Sequence, residues 1–481
     1  MSAARRMCAP LVVLLAACAG PERAVAPPDA ELPAQYPGVA VAPAEGADAA
    51  TPWHAFFGDP AFDTLMRQAL AHNRDLRLAA LRVDEAMALA GIQHADRFPN
   101  VQLAAASSRT RVPADLSPTG HSTIASQSEA AVSVTPWELD LWGRVRRLDE
   151  AALEQALATD EARLAVQSAL VGQVALAYLG ARELDERIDL TERTVRTRVE
   201  GSRIAHRRYE VSAAARIDAI QADVLLEQAR TELPLLERQR ALTLDALALL
   251  VGAPPPKQRE PLAAIEQAFV RTPAPGLPSE LLQRRPDLRA AERRLRAAEA
   301  NVAAARAAFF PTILLTGAFG TTSAALDGLF GGGSGLWSFA PSIALPLFDG
   351  GRTRSGLELA EARRRLAIVD YERSVQAAFR DVADALADRR GWADAILSQR
   401  AMLAGQVERS RIAELRYRNG AAPYLEVLDA ERERFAVEQA LVQSRSALLA
   451  SQVRLYVALG GGADRAIVPA RPEPTAQEAP R

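Results

Sequence analysis

The chain has 481 residues, of which 24% are charged, with 57 Lys and Arg against 59 Asp and Glu. Lys257 is the only lysine, and the arginines are interleaved with Glu and Asp. That pattern excludes a one-signed nucleic-acid surface and marks solvated helix faces carrying i,i+4 ion pairs. The histidines (His54, His72, His94, His121, His206) lack ligand spacing, and the cysteines are only Cys8 and Cys18. No zinc site, thiol nucleophile or disulfide framework can be assembled from them.

Arg5 and Arg6 precede an apolar run, Ala9 to Ala17, too short to cross a bilayer. The run ends in Leu15-Ala16-Ala17-Cys18, which resembles a bacterial lipoprotein signal. On this reading residues 1–17 are removed and Cys18 becomes the lipidated N-terminus of a segment extending to residue 60. The competing reading is an ordinary secretory signal with a coincidental Cys. Ala19 stands where an Asp would signal inner-membrane retention, so the outer membrane is favoured. Loss of the two signal arginines leaves a mildly acidic mature chain.

Beyond the signal, the chain repeats itself. Asp75-Leu76-Arg77 and Phe98-Pro99 recur as Asp287-Leu288-Arg289 and Phe310-Pro311, at an offset of 212. Gly143-Arg144 and Arg208-Tyr209 recur as Gly351-Arg352 and Arg416-Tyr417, at an offset of 208. Matched spacing implies a duplicated unit. The first covers 61–251 and the second 287–459, each predicted as helix, β-hairpin, long helix and return helix. The hairpins fall at 100–142 and 312–349. Arg144 to Arg208 and Arg352 to Arg416 each span 64 residues, about 100 Å if helical. Leu157, Leu164, Val171 and Tyr178 lie seven apart, continued by Ile188, Val195 and Val199; Val375, Phe379, Val382, Leu386, Ala393, Ile396, Leu403 and Val407 form the matching stripe. A period near 3.5 predicts coiled-coil-like packing.

Between the helices the period becomes two. Trp337, Phe339, Pro341, Ile343, Leu345 and Leu347 alternate with Ser338, Ala340, Ser342, Ala344 and Pro346. Ile313, Leu315 and Phe319 do so with Thr312, Thr316 and Gly320, and Val101, Leu103, Ala130, Val132 and Val134 repeat the pattern more weakly. These segments have the length of tilted transmembrane strands. Pro311, Gly317 and Gly320 argue against a helix over the charge-free stretch from Ala307 to Leu326. Proline-rich residues 252–286 read as an equatorial linker with a short helix from Leu262 to Val270, and 460–481 as a mobile tail. Four strands per chain cannot close a barrel, so the chain must oligomerise. A dimer supplies eight strands and a trimer twelve with a lumen; the sequence leaves the choice open.

Pro136-Trp137-Glu138-Leu139-Asp140-Leu141-Trp142-Gly143-Arg144, Arg285-Pro286-Asp287-Leu288, Pro346-Leu347-Phe348-Asp349-Gly350-Gly351-Arg352 and Arg416-Tyr417-Arg418-Asn419-Gly420 together resemble the outer-membrane efflux channels of the TolC and OprM kind, in their lipoprotein (NodT-like) branch. The resemblance implies a mixed α and β membrane protein: a homotrimer with a shared twelve-stranded transmembrane β-barrel, a long periplasmic α-helical barrel and an equatorial domain. It implies a channel without enzymatic activity or cofactor, exporting drugs or other small toxic compounds with a periplasmic adaptor and an inner-membrane RND-type pump. Protein secretion of the type I kind, or copper or silver export, is the alternative duty of the same fold. The resemblance also places a periplasmic gate at Leu425, Glu426 and Asp429, whose copies would form apolar and carboxylate rings able to hold cations. It places tip turns, candidate adaptor contacts, at Ser212 and Gly420. In the first repeat Asp218 and Gln221 stand where the second has Glu426 and Asp429. Ser212 replaces the glycine found at 420, from which a stiffer or a differently shaped turn is expected. Ala422 carries no basic latch.

Overall fold

The computed structural model describes residues 51–118, 120–254, 259–266, 269–271 and 280–465. The signal, Cys18 and most of the segment to residue 60 lie outside the described residues, as do Lys257 and the tail beyond residue 465. In chain order the elements are α1 (Trp53–Phe56), α2 (Pro60–His72), α3 (Arg74–Ala95), β1 (Val101–Val112), β2 (Thr123–Glu138), α4 (Arg144–Glu210) and α5 (Arg216–Val251). They continue as α6 (Leu281–Arg284), α7 (Pro286–Ala307), β3 (Thr312–Ser323), β4 (Gly335–Ala344), α8 (Arg352–Arg418) and α9 (Tyr424–Ala458). Helices α4 and α8 each have 67 residues, so the internal repeat is one of length as well as of sequence. The described residues divide into two compact units, one within 83–159 and 291–372, the other within 51–82, 160–290 and 373–465.

The first unit is built on one antiparallel sheet of order β1-β2-β3-β4. Its register sets Leu103 opposite Val132, Val132 opposite Phe319 and Phe319 opposite Trp337. Alternation then puts Val101, Val134, Phe339, Leu315 and Ile343 on the same bulky apolar face, and Gln102, Glu129, Thr316, Ser338 and Ser342 on the other. Phe319, Trp337 and Ile343 are 75%, 76% and 69% exposed, so they are left uncovered by the described residues. The β2–β3 register shifts between Val134 and Trp137, around Pro136. A residue without an N–H cannot serve the ladder there, and a bulge absorbs it. Pro341 is accommodated because β4 is an edge strand, and the strand ends at Ala344 rather than running to Leu347 because Pro346 cannot continue it. At Gly320 a Cβ would come within 2.2 Å of the Ala130 carbonyl oxygen, which only glycine avoids.

Where β2 turns into α4, the tryptophan motif builds a fixed corner. Asp140 accepts from the backbone N–H groups of Val145 (3.1 Å) and Arg146 (2.8 Å), capping α4, an arrangement generally worth about 1 kcal/mol. Arg144 donates to both carboxylate oxygens of Glu138. The Trp142 indole donates to the Pro311 carbonyl at 2.8 Å and its ring stacks on Phe310 at 4.9 Å. Phe310-Pro311 thus anchors the partner repeat's strand to this corner. Gly143 turns with φ 78°, a conformation that glycine adopts without Cβ strain. Asp349 performs the second capping, accepting from the N–H groups of Gly351 (2.9 Å) and Thr353 (2.8 Å).

In the second unit, a buried core joins the N-terminal aromatics Trp53, Phe56, Phe57 and Phe62 to Leu170, Val174 and Tyr178 of α4, Leu247 and Val251 of α5, and Val453 and Tyr456 of α9. Phe56 stacks on Tyr456 at 4.0 Å. The apolar stretch of α4 is long enough to cross a bilayer, yet 61% of it is buried inside the protein, so it is spent on helix packing. Leu164, Val171, Tyr178 and Ile188 are fully buried, as the seven-residue spacing predicts, but the stripe breaks beyond them. Val199 is 40% exposed while Arg198 beside it is only 6% exposed. Arg198 can be buried because its guanidinium donates to the Leu225 carbonyl (2.8 Å) and lies over the Phe435 ring. Val407, expected on the second stripe, is 41% exposed.

The short helix expected from Leu262 to Val270 is a single 3-10 turn, Leu262–Ala264, and Val270 pairs instead with Phe57. Carboxylates of α4 hold the start of this segment: Asp185 accepts from the Glu260 N–H (3.1 Å) and Glu186 from the Ala263 N–H (2.7 Å).

Candidate channel gate

The candidate gate residues belong to the second unit, near where α4 turns into α5 and α8 into α9. Both turns close in the same way. The Ala213 N–H reaches back to the Arg208 carbonyl at 2.7 Å and the Ala421 N–H to the Arg416 carbonyl at 2.8 Å. These are the six-to-one bonds of a Schellman ending, which requires a left-handed residue just before the donor. Gly420 supplies it with φ 70°, and Ser212 adopts φ 56° at the equivalent place. The expectation of a differently shaped turn at Ser212 is therefore corrected. The closing hydrogen bonds hold a non-glycine residue in a conformation it ordinarily avoids.

Beyond the second turn, the first turn of α9 is fixed by Pro423 at its N-cap, whose missing N–H costs nothing there. Leu425 is 46% exposed, Glu426 and Asp429 are half-buried, and Val427, Leu428 and Ala430 are buried. Leu425 and Asp429 therefore lie away from the packed side of the helix, one turn apart. Both acidic side chains have arginine partners. Arg416 donates to Glu426 at 2.8 Å, tying the last turn of α8 to the first of α9, and Arg432 lies 3.1 Å from Asp429. Any ring made from Asp429 thus carries a guanidinium for each carboxylate, which the sequence alone did not indicate.

The first repeat is built differently at matched positions. Asp218 is one methylene shorter than Glu426, and Arg208, the counterpart of Arg416, lies over the Tyr417 ring at 4.7 Å. Tyr417 in turn packs on Tyr424 at 4.8 Å. Tyr424 touches both alanine-lined clusters at the tips, one formed by Ala205, Ala219 and Ala222, the other by Ala413, Val427 and Ala430. It is the side chain that joins the two helical hairpins here. Reading the sequence for gate residues passed over it, although an aromatic immediately after a helix-starting proline is a usable signal. Burial, followed by the nearby Glu431 carboxylate, pushes its hydroxyl up to about 12.

A cavity of about 280 Å³ opens beside Tyr424, lined among others by Arg198, Gly201, Arg208, Tyr417 and Glu431. Burial raises the Glu431 carboxyl above its usual range, and Arg198 opposes that shift only partly. The Tyr424 hydroxyl lies beside Gly201, where a Cβ would meet it at ordinary contact distance, 3.4 Å.

Two 67-residue helices, each followed by a return helix, and an amphipathic sheet with two strands from each repeat are the parts of an envelope channel. Comparison with known proteins gives the same class. The family model described as "Outer membrane efflux protein" matches residues 65–253 and 277–461, and the chain belongs to that family. It is 42% identical over 440 residues to the "Toluene efflux pump outer membrane protein TtgC" of Pseudomonas putida, covering 90% of this chain and 91% of that one. A crystal structure of a membrane protein from Pseudomonas aeruginosa superposes with a TM-score of 0.86 at 40% identity, over 91% of this chain and 99% of that one. The open state of the Neisseria gonorrhoeae MtrE outer membrane channel gives 0.83 at 34% identity, over 92% and 98%. The fold class is that of the trimeric outer-membrane efflux channels, helix-rich with one four-stranded sheet per chain. The protein is an outer-membrane efflux component, and its family consists of transport components.

Proposed function

We propose that three copies of this chain close a twelve-stranded barrel in the outer membrane, continued by a helical duct, through which small toxic organic compounds leave passively. The observation that carries this reading is the sheet itself. Among the described residues its apolar face is uncovered, and its edges β1 and β4 have no further strand beside them. Open edges are prohibitive in lipid, so closure must come from other copies. Twelve strands leave a lumen where eight would fill it with side chains. The small and polar face from Gln102 to Ser342 then lines water.

The substrate class follows from TtgC, named for toluene efflux, and is organic solvents and comparably small drugs. A periplasmic adaptor and an inner-membrane RND-type pump supply coupling and energy, with Ser212 and Gly420 at the tip turns as candidate adaptor contacts. Leu425, Glu426 and Asp429 narrow the entrance, and Cys18 bears a lipid that supplements the barrel as anchor.

The full chain in mild detergent should have the mass of a trimer and conduct in planar bilayers. A stable monomer that conducts would sink the shared barrel. When the chain is expressed with its pump and adaptor, accumulation of a labelled aromatic solvent should fall. Accumulation of copper, or failure to secrete a protein, as the only phenotype of its loss would move the reading to the alternative duties. Cys18→Ser should abolish labelling of the mature protein by fatty acid while leaving part of it in the membrane, since twelve strands bury far more apolar surface than acyl chains do. Undiminished labelling would reject lipidation at Cys18.

A further inference from the structure

The apolar face of β1 reads Val101, Leu103, Ala105, Ser107, Arg109 and Arg111 from the helix end toward the hairpin tip. The unbroken register with β2, Arg109 opposite Ser126 and Arg111 opposite Ile124, keeps both arginines on the face of Val132, Phe319 and Trp337. They are not on the face of Gln102, Gln127 and Glu129. Both are exposed, and neither has an ion pair or hydrogen-bonded partner among the described residues. In a closed barrel this is the side that meets lipid. An outward arginine is costly at the midplane of the hydrocarbon and nearly free at its margin.

Height along the strand decides between those places. Val101 lies at the helix end, and eight residues of strand separate it from Arg109, about 26 Å of path. At a tilt of about 40° that is roughly 20 Å of height, close to the upper edge of an apolar band about 25 Å tall. The helices enter the periplasm, so the hairpin tip points outward, and the arginines stand at the level of the outer-leaflet headgroups. Their Cα atoms are about 7 Å apart on one face, close enough for two guanidinium forks to hold one phosphate.

We propose that Arg109 and Arg111 form a docking site on the lipid-facing surface for the phosphate groups of the glycolipid in the outer leaflet, fixing the barrel's depth there. This rests on the closed-barrel reading above. The test uses full-length trimers of the wild type, R109Q/R111Q and R109K/R111K, with retained lipid counted by native mass spectrometry. Three probes are offered: diphosphorylated lipid A, the same glycolipid stripped of phosphate, and phosphatidylglycerol.

The wild type should retain the diphosphorylated probe in preference to both others. The glutamine variant should bind it roughly tenfold more weakly, the loss expected for a charge-assisted contact, and the lysine variant should fall between because it lacks the bidentate fork. Equal retention by wild type and glutamine variant overturns the proposal while leaving the barrel standing. So does a wild type that holds phosphatidylglycerol as well as the glycolipid, which would indicate unspecific attraction to anions. A wild type that forms no trimer removes the barrel reading and this inference together.

Discussion

Leu425→Ala combined with Asp429→Ala is expected to raise single-channel conductance in planar bilayers severalfold. Leu425 is 46% exposed and Asp429 is half-buried, one helical turn apart and away from the packed side of α9. If three chains surround one axis, each substitution acts three times, widening an apolar ring and a carboxylate ring together. Asp429→Ala alone should also reduce inhibition by multivalent cations, because the carboxylates that would hold them are gone. Arg432, 3.1 Å from Asp429, offsets part of that negative charge, so Arg432→Ala should deepen the same inhibition. Trimer stability should change little in each case, since these side chains do not enter the tip clusters. Conductance and cation block matching the wild type would remove the gate from these residues and leave the family assignment intact.

Asp185→Ala is expected to destabilise the protein by about 3–5 kcal/mol, the range found when one partner of a buried ion pair is deleted. The Asp185 side chain is 2% exposed, receives the Arg240 guanidinium, lies 3.8 Å from Arg182 and accepts the Glu260 N–H. Arg182 itself pairs with Glu260 at 2.7 Å and donates to the Tyr178 hydroxyl at 2.9 Å. Removing the carboxylate takes its partner from Arg240, one of several from Arg182, and frees a backbone donor, so the damage should centre on the segment beginning at residue 259. Hydrogen exchange there should accelerate and the apparent Tm should fall. Replacing the pair together, Asp185→Leu with Arg240→Met, should recover part of the loss, because two charges then leave the interior at once. Unchanged exchange from residue 259 to 266 in the single variant would show that the network does not hold the linker.

The contrast between the gate and this network shows what each level of description settles. Spacing alone determined the two long helices and the four strands. A period of 3.5 and a period of 2 are properties of the backbone's own geometry, so the stripe from Leu164 to Ile188 and the alternation from Trp337 to Ile343 needed no knowledge of neighbours. Proline chemistry, equally local, governed the bulge around Pro136 and the end of β4. Leu425, Glu426 and Asp429 were named as gate candidates by the family resemblance, not by spacing.

Contacts between segments far apart in the chain were not legible. The linker from residue 259 is held to α4 by Asp185 and Glu186, about 75 residues earlier, which accept its N–H groups. Arg198 is buried in place of Val199 because a carbonyl of α5 and the Phe435 ring of α9 receive it. Tyr424 joins the two helical hairpins only because alanines at both tips leave space for its ring. Ser212, by contrast, keeps a glycine's conformation through its own turn, where the Ser212 N–H bonds to the Tyr209 carbonyl and the Ala213 N–H to the Arg208 carbonyl, against a local preference of about 1 kcal/mol. Periodicity is written into the chain, whereas the choice of which buried donor meets which acceptor exists only once the helices are side by side.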